Sequence, residues 1–493
     1  MRLSNLLKNL KESKQINFKQ FNPNIKGVSV DSKKIKKNYL FFAIKGKKKD
    51  GHQFINEAVK NGAVLVFIKN KESISYLKDQ KTNFILTNKP RIILSKICSI
   101  LYPNKPSFIS AVTGTNGKTS VSYITNQIWE KCNYKSASIG TLGLISKNFK
   151  KNLVLTTSDN IELNKIMTFL KKKKIDKVCL EASSHGLEQN RIDNIKIKVA
   201  AFTNFSQDHL DYHKNLRSYF DSKMRLFKDI LDNKGYAIIN SDIQVSKKIE
   251  KICKKRRIKI ISYGYNSNDL KLLDFRKYND YQKVTLKYKQ RIFHYKLKLF
   301  GDFQVYNSLC SLGIVTASGI PIQKSLKVIE RIKQIPGRLE KINISNKLKN
   351  KKVSIYIDYA HTPDALEKTL ESLKKNSPNN LSIVFGCGGD RDVGKRFLMG
   401  KIAKKYATKI YVTDDNPRNE SALKIRKDIL KGCPNARNIG DRYKAIKTAI
   451  KEAEFNEVLL VAGKGHESTQ IIRNKIKDFD DKKVIIKILK KTR

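Results

Sequence analysis

No apolar run in this chain approaches the length of a membrane span, which argues against an architecture built on transmembrane helices. The opening stretch, MRLSNLLKNLKESKQINF, lacks an apolar core followed by a small-residue cleavage site. No secretory signal is therefore expected, and the setting is read as cytoplasmic. Cysteine is sparse and dispersed: residues 98, 132, 179, 253, 310, 387 and 433, with no CxxC pair. An odd, scattered set argues against a disulfide framework or a zinc site and for reduced thiols. No internal repeat is found. Acidic side chains are also scarce, 44 against 101 Lys and Arg, for a formal net charge of +57. Such an excess suits a polyanion-binding protein. Here, however, it is mostly lysine, in runs such as KKKK (171–174) and KICKKRR (251–257), beside abundant Asn and Ile. AT-rich codon usage favours that trio. Solvated lysine faces on an ordinary enzyme, with no specific nucleic-acid partner, are the reading adopted, although polyanions would still adhere at low salt.

What is present is α/β patterning. A chain of 493 residues suggests two to four domains. The first 88 residues or so alternate short apolar runs, YLFFAI and AVLVFI, with helical stretches. From residue 108, FISAVTGTNGKTSVSYITNQIWEK reads as a strand, a glycine-containing turn and a helix with Val121, Ile124 and Ile128 on one face. KVCLEAS and VAAFTNF are further strands, and a basic β-rich stretch lies near 258–300. After IPGRLE (335–340), the strands SIYIDYA, LSIVFGC, KIYVTDD and EVLLVAG are each followed by a polar turn, the pattern of a parallel α/β sheet. Ligands of such sheets sit beyond the carboxyl ends of the strands.

The turn after the first of these central strands is AVTGTNGKTS (111–120). The usual P-loop has a glycine five residues before the Gly of Gly-Lys-Ser/Thr, but that position is Val112. The first glycine is Gly114. The strand before and the helix after still favour a nucleotide site over a plain turn, because backbone N–H groups and the helix N-terminus would face phosphate. Lys118 would neutralise the β/γ oxygens and Thr119 would ligate Mg²⁺.

A second constellation is LEASSHGLEQNRIDN, FTNFSQDHLDYH and LRSYFDSKMRLF. Glu181 ends a strand and His209 sits in a polar turn. A carboxylate and an imidazole at two strand ends can share a divalent cation; each alone could equally be solvated or capping. Lys223 falls on an apolar stripe with Leu216, Tyr219, Phe220, Leu226, Phe227 and Ile230. Either it snorkels to water, or it is a buried amine whose neutral form is used chemically. A third set lies in IDYAHTPDAL, FGCGGDRDVGKR, TDDNPRNE and AGKGHES. Arg391, Asp415, Asn416, Arg418 and Glu467 there offer charges of both signs, which suits a zwitterionic small molecule. A salt-bridge network within the loops is the alternative.

In this order, TGTNGKTS, EASSHGL-x-Q-x-R, FTNFSQDHLDYH, DYAHTPDAL, GCGGDRD and DNPR resemble the Mur ligases, along essentially the whole chain. The short Gly-x-x-Gly-Lys-Thr loop is similar to the one this family shares with folylpolyglutamate synthases. The resemblance implies an α/β fold of three domains. Residues 1–88 would bind the UDP end of the substrate. Residues 89–337 would form a central P-loop-type mononucleotide-binding sheet for ATP. Residues 338–493 would form a Rossmann-like domain for an amino acid.

Within the family, the motifs imply the ligase that adds the third peptide residue of the peptidoglycan precursor. Its γ-carboxylate would be phosphorylated by ATP before an amine attacks. Gly114, Thr115, Asn116, Gly117, Lys118, Thr119 and Ser120, with Asn307, Arg338 and Asp358, match ATP-binding positions. Ser32, Thr156, Thr157, Ser183, Gln189 and Arg191 match positions that hold UDP-muramyl-peptide. Arg391, Asp415, Asn416, Arg418, Gly463 and Glu467 match a diaminopimelate site, with DNPR of the diaminopimelate type rather than the lysine type. Glu181 and His209 match Mg²⁺ ligands, and Lys223 matches a lysine carbamylated by CO₂ that joins them. The family usually has Arg at position 33 and often Asn at 304, where this chain has Lys and Gln. Folylpolyglutamate synthase remains an alternative but leaves DNPR and the DSKK region (31–34) unexplained. A monomer acting on small molecules, with neither nucleic acid nor membrane as partner, is expected.

Overall fold

The apolar runs near the N-terminus become strands covered on both faces. Gly27–Ser29, Tyr39–Phe42, Ala63–Ile68 and Asn83–Leu86 lie side by side in chain order, all parallel. Side chains alternate across a strand. Leu40, Phe42, Leu65 and Phe67 therefore enter one cluster with Leu3, Leu6 and Ile97, while Phe41, Val66 and Ile68 enter another with Ile55 and Ala58. Two-sided burial is why these strands read as unbroken apolar runs.

This computed structural model describes residues 1–46, 49–69, 82–278, 280–343, 348, 350–375 and 380–491. The chain divides into two compact units. The first comprises Met1–Ala111, Lys135–Ala200 and Ser222–Gly235. Besides the four-stranded sheet, it contains Ser136–Gly140, parallel to Lys177–Glu181 and antiparallel to Gly143–Ser146. Helix Asn160–Lys172 begins where the Asp159 carboxylate accepts the N–H groups of Ile161 and Glu162, an N-cap.

The second unit comprises Val112–Tyr134, Ala201–Asp221 and Tyr236–Arg493. Helix Lys118–Lys131 packs on helix Asp302–Ala317. Val121, Ile124 and Ile128 are fully buried, as their spacing predicts. So is Trp129, the sole tryptophan, whose Nε1 donates to Ser318 Oγ at 3.0 Å. Within the basic stretch, Lys259–Gly264 is parallel to Leu270–Lys277, and two antiparallel strands follow, Gln282–Tyr288 and Arg291–Leu297.

The four strands expected after residue 340 form one parallel set, with an order the sequence does not disclose. Val458–Ala462, last in the chain of the four, lies between Ser354–Asp358 and Leu381–Phe385. Lys409–Val412 follows on the outer side, and Glu340–Ile342 joins Ser354–Asp358 antiparallel. Apolar clusters cover both faces. The carboxyl ends of the two flanking strands and of the strand between them thus open onto the polar loops at 358–363, 386–393 and 463–468.

All seven cysteines are buried and none forms a disulfide. Burial pushes the thiols of Cys98, Cys253 and Cys387 up to about 12. Among the described residues no helix is long and apolar enough to cross a membrane.

One ion pair is sealed completely. Arg442 Nε and Nη2 each donate to Asp481 at 2.8 Å, and Nη2 also donates to Ala462 O at 2.9 Å; both side chains have zero exposure. Removing one member of such a pair leaves an uncompensated charge. Asp481→Ala should therefore cost about 3–5 kcal/mol, seen as a lower urea midpoint. An unchanged midpoint would mean that the pair contributes nothing net.

Candidate active site

The nucleotide motif lies in the second unit. Val112, which stands where a longer P-loop has glycine, is a fully buried residue of strand Phe108–Thr113. The strand continues through that position, and the turn is shortened accordingly. Gly114 and Gly117 take φ of +141° and +86°. A Cβ on Gly114 would lie 1.9 Å from Thr203 Oγ1, and one on Gly117 would lie 2.5 Å from Asn307 Oδ1. Both positions require glycine twice over, for φ and for space.

The turn is held by the segment after strand Ile197–Phe202. Thr115 N donates to Asn204 O at 3.0 Å and Asn116 N to Asn204 Oδ1 at 2.8 Å. Thr203 Oγ1 donates to Asn116 O at 2.6 Å, and Ser206 N to Thr115 Oγ1 at 3.0 Å. FTNFS was visible as part of a motif, but the sequence reading gave these residues no role. Lys118 Nζ folds over its own loop, donating to Gly114 O (2.9 Å) and Thr115 O (2.7 Å). Thr119 and Ser120, in the first turn of the helix, are buried.

Arg338 reaches this loop: its Nη2 donates to Thr119 Oγ1 at 3.0 Å, and its guanidinium lies 4.5 Å from the centroid of the Tyr359 ring. Asp358, at the end of its strand, accepts the N–H groups of Leu339 (2.5 Å) and Ala360 (2.8 Å). Burial pushes its carboxyl up to about 6 against the opposing pull of Arg338 and these N–H groups. Asn307 Nδ2 donates to Gln304 Oε1 (3.0 Å), and Gln304 Nε2 donates to Arg338 O (3.4 Å). The Gln304 departure from the family pattern thus links two of the expected ATP residues. His209 takes a left-handed φ of +55°, with its ring 3.4 Å from the carboxylate of Asp208. Burial pushes Asp208 upward, but the charges of His209, His361 and Lys118 outweigh it and hold the carboxyl below its ordinary value. His361 is driven down to about 4, mainly by burial and then by Lys395, so its imidazole is neutral near pH 7.

The first unit holds a second cluster. Glu181 ends strand Lys177–Glu181 and is buried. Its Oε1 accepts Thr141 N at 2.8 Å and its Oε2 accepts Thr141 Oγ1 at 3.0 Å. A Cβ on Gly140 would fall 2.1 Å from Glu181 Oε1, so glycine there makes room for the carboxylate. Thr157 Oγ1 donates to Glu181 O at 2.7 Å and accepts Ser183 N at 3.0 Å. Arg191 donates to Thr157 O (2.7 Å) and Gln189 Oε1 (2.8 Å), and Thr156 Oγ1 lies 3.2 Å from Thr141 Oγ1. Five of the six expected UDP-muramyl-peptide residues are therefore knit around Glu181. Thr141, which sequence reasoning missed, joins them. Ser32 stands apart in the four-stranded region, donating to Glu57 Oε2 at 2.5 Å; the neighbouring Lys33 is exposed.

Lys223 is 1% exposed, which excludes snorkelling. Leu216, placed on the same stripe by its spacing, is instead 43% exposed. Leu216 is the first residue of helix Leu216–Arg225, which runs straight into a π-turn, Leu226–Ile230, a feature often found at functional sites. Among the described residues no three His, Cys, Asp or Glu side chains gather into a metal cage.

The loops expected to take the amino acid hold a cation that the sequence did not disclose. Asp415 and Glu467 were expected to receive substrate ammonium groups. In the structure they flank an internal one, Lys464, which has zero side-chain exposure. Lys464 Nζ lies 3.8 Å from Asp415 and 3.4 Å from Glu467, and donates to Asn416 Oδ1 (3.2 Å) and Thr469 O (2.6 Å). Asn416 Nδ2 in turn donates to Glu467 Oε2 at 3.0 Å. Gly463 has φ +109°, and a Cβ there would fall 2.7 Å from Asp415 Oδ2. The lysine of AGKGHES gave no signal of burial because its neighbours in sequence are polar and small. Arg418 takes φ +52° and donates from Nη1 to Gly389 O at 2.7 Å. This brings it to the loop of Arg391, which is itself exposed.

Three domain families match in succession: Mur ligase family, catalytic domain, over residues 24–102; Mur ligase middle domain, over 112–315; and Mur ligase, glutamate ligase domain, over 337–465. A Rickettsia bellii protein named UDP-N-acetylmuramoyl-L-alanyl-D-glutamate–2,6-diaminopimelate ligase is 41% identical over 469 residues, covering 94% of this chain and 95% of that one. A Bradyrhizobium diazoefficiens protein of the same name is 38% identical over 465 residues, 94% of each chain. A solved structure of a ligase so named aligns with TM-score 0.69 at 29% identity, over 100% of this chain and 99% of that one. Folylpolyglutamate synthase from Mycobacterium tuberculosis shares the fold, with TM-score 0.63 at 15% identity over 76% of this chain and 92% of that one. The shortened glycine loop, the parallel sheet with its polar loops and three successive domain matches agree with full-length likeness, and the chain belongs to the Mur ligase family.

Proposed function

We propose that this chain is an ATP-dependent ligase that joins meso-diaminopimelate to UDP-N-acetylmuramoyl-L-alanyl-D-glutamate. One observation carries the reading: likeness over 94% of the chain to relatives named for that reaction. Residues 1–88 would bind the UDP end, 89–337 ATP and 338–493 the amino acid, in a cytoplasmic monomer.

The γ-carboxylate of the substrate's D-Glu attacks the γ-phosphorus of ATP, giving an acyl phosphate and ADP. The amine of diaminopimelate attacks the acyl carbon, and phosphate leaves from a tetrahedral intermediate. Two anions must meet in the first step. Lys118, poised over Gly114 and Thr115, supplies a mobile cation there, and the N-terminus of helix Lys118–Lys131 adds its dipole. Arg338, Asn307 and Asp358 surround the same loop and hold the nucleotide. Mg²⁺, when bound, neutralises phosphate oxygens. An oxygen-rich but incomplete donor set suits it, because Mg²⁺ retains water and phosphate ligands. Thr119 offers a hydroxyl. Glu181, and Lys223 once carbamylated, offer carboxylate oxygens for a second ion. Thr156, Thr157, Ser183, Gln189 and Arg191 hold the muramyl-peptide, and Ser32 holds the uridine end.

The choice of meso-diaminopimelate over L-lysine rests on Arg391 and Arg418. Diaminopimelate carries a second carboxylate at the far end of its side chain, which an arginine can grip bidentately. With lysine, Arg418 would be desolvated without a counter-charge. Lys464 fixes Asn416 and Glu467 as acceptors for the ammonium end.

Three outcomes are expected. Lys118→Ala should lower ligation, followed as amino-acid-dependent phosphate release, by about a thousandfold with the fold intact; near-normal turnover would sink the nucleotide assignment. Arg418→Ala should erode the preference for meso-diaminopimelate over L-lysine in kcat/KM by at least about tenfold, the loss of one charged hydrogen-bonded contact, and an undiminished preference would count against this site. The third concerns Asp358, whose folded value of about 6 lies above the ordinary 3.8. The folded state therefore binds more protons between those values, and stability falls as pH rises through that window. Relative to Asp358→Asn, the wild-type Tm should drop between about pH 4 and about pH 6 and then level off; a constant gap would contradict it.

A further inference from the structure

The two arginines expected at the amino-acid site sit on separate loops, 386–393 and 413–421, and an ion pair between buried Arg396 and half-buried Glu420 ties the second loop to the helix that follows the first. Arg396, near the start of helix Gly394–Tyr406, is 1% exposed. Its Nη2 donates to both oxygens of Glu420, at 2.9 and 2.8 Å, and its Nη1 donates to Asp428 at 3.2 Å. Glu420 Oε1 also accepts the backbone N–H of Asp390, the residue before Arg391. Glu420 lies two residues after Arg418. One carboxylate is thus bonded to the loop that carries Arg391 while belonging to the loop that carries Arg418. The backbones meet beside it: Gly389 N donates to Asn416 O at 2.9 Å, and a Cβ on Gly389 would fall 2.0 Å from Pro417 O.

We propose that Glu420 and Arg396 are positioning residues that set the spacing of Arg391 and Arg418, and so the grip on the far carboxylate of the amino-acid substrate. This rests on the reading of those arginines given above. The chemistry explains why a buried arginine is needed. A carboxylate two residues from Arg418 can compete with a substrate carboxylate for it. Arg396 Nη2 alone contacts both Glu420 oxygens in a charge-assisted pair, which keeps Glu420 off the two recognition arginines and still leaves Oε1 able to accept Asp390 N–H. Arg396 thus offsets the charge of Glu420 beside the loops, and the positive charge of Arg391 and Arg418 stays available to substrate.

Steady-state kinetics of the full chain with ATP, UDP-N-acetylmuramoyl-L-alanyl-D-glutamate and either amino acid test this. Glu420→Gln is expected to raise KM for meso-diaminopimelate about tenfold or more, with kcat and KM for ATP within about twofold. Arg396→Lys keeps the charge but not the two-pronged grip, and should raise the same KM, giving a second reading if the first variant folds poorly. Asp428→Asn removes the other partner of Arg396 without touching either arginine loop. It should lower Tm while leaving KM for meso-diaminopimelate within about twofold. Unchanged KM in Glu420→Gln and Arg396→Lys, or an equal rise in Asp428→Asn, overturns the proposal in favour of a purely structural pair. A wild-type enzyme that uses L-lysine instead defeats the substrate assignment and this proposal with it, whereas unchanged KM in the variants of an enzyme that does use meso-diaminopimelate defeats the positioning role alone.

Discussion

A short turn with two glycines at positive φ has little to hold its own shape, and the hydrogen bonds from Thr203, Asn204 and Ser206 hold it instead. The contact is close enough that a methyl group on Gly114 would strike Thr203. Thr119 then takes Arg338, and Asn307 presses on Gly117, so the residues expected at the nucleotide, from three distant parts of the sequence, converge on a turn fixed from outside. If the 203–206 segment shifted, the helix start, the lysine and the arginine would all lose their common reference.

The amino-acid end is organised by buried cations rather than by backbone. Lys464, Arg396 and Arg442 each have 1% or less side-chain exposure, and each faces a carboxylate supplied by another element. Burying a charge is unfavourable unless it is paired and hydrogen-bonded. Once paired, it ties together loops that have too little apolar surface to pack. The polar loops at the carboxyl ends of the parallel strands are therefore given definite shapes by ion pairs beneath them.

Much of this was legible in the sequence, and the boundary has physical causes. The four C-terminal strands were readable because apolar runs ending in polar turns are a local signal. The insertion of Val458–Ala462 between two earlier strands was not, because order in a parallel sheet is decided by crossovers that leave no local mark. The phosphate turn was recognisable from its glycines and lysine, but its support by Asn204 was not, because a side chain that accepts a backbone N–H from ninety residues away looks like any loop asparagine. Lys223 could be flagged as a lysine on an apolar stripe. Lys464 could not, since its burial comes from partners in other loops. The exposed Leu216 shows the opposite failure: spacing alone implied burial, but Leu216 is the first residue of its helix, and spacing does not say how far along a helix its neighbours extend.

The lone tryptophan offers a different kind of consequence. Trp129 is enclosed between two helices, Lys118–Lys131 and Asp302–Ala317, with its indole N–H bonded to Ser318. Its fluorescence therefore has a single origin. Emission will be short in wavelength while that helix pair is closed and will shift to the red when water reaches the ring. The optical signal of this chain follows the helix that begins at the phosphate turn, and it is silent about the N-terminal sheet.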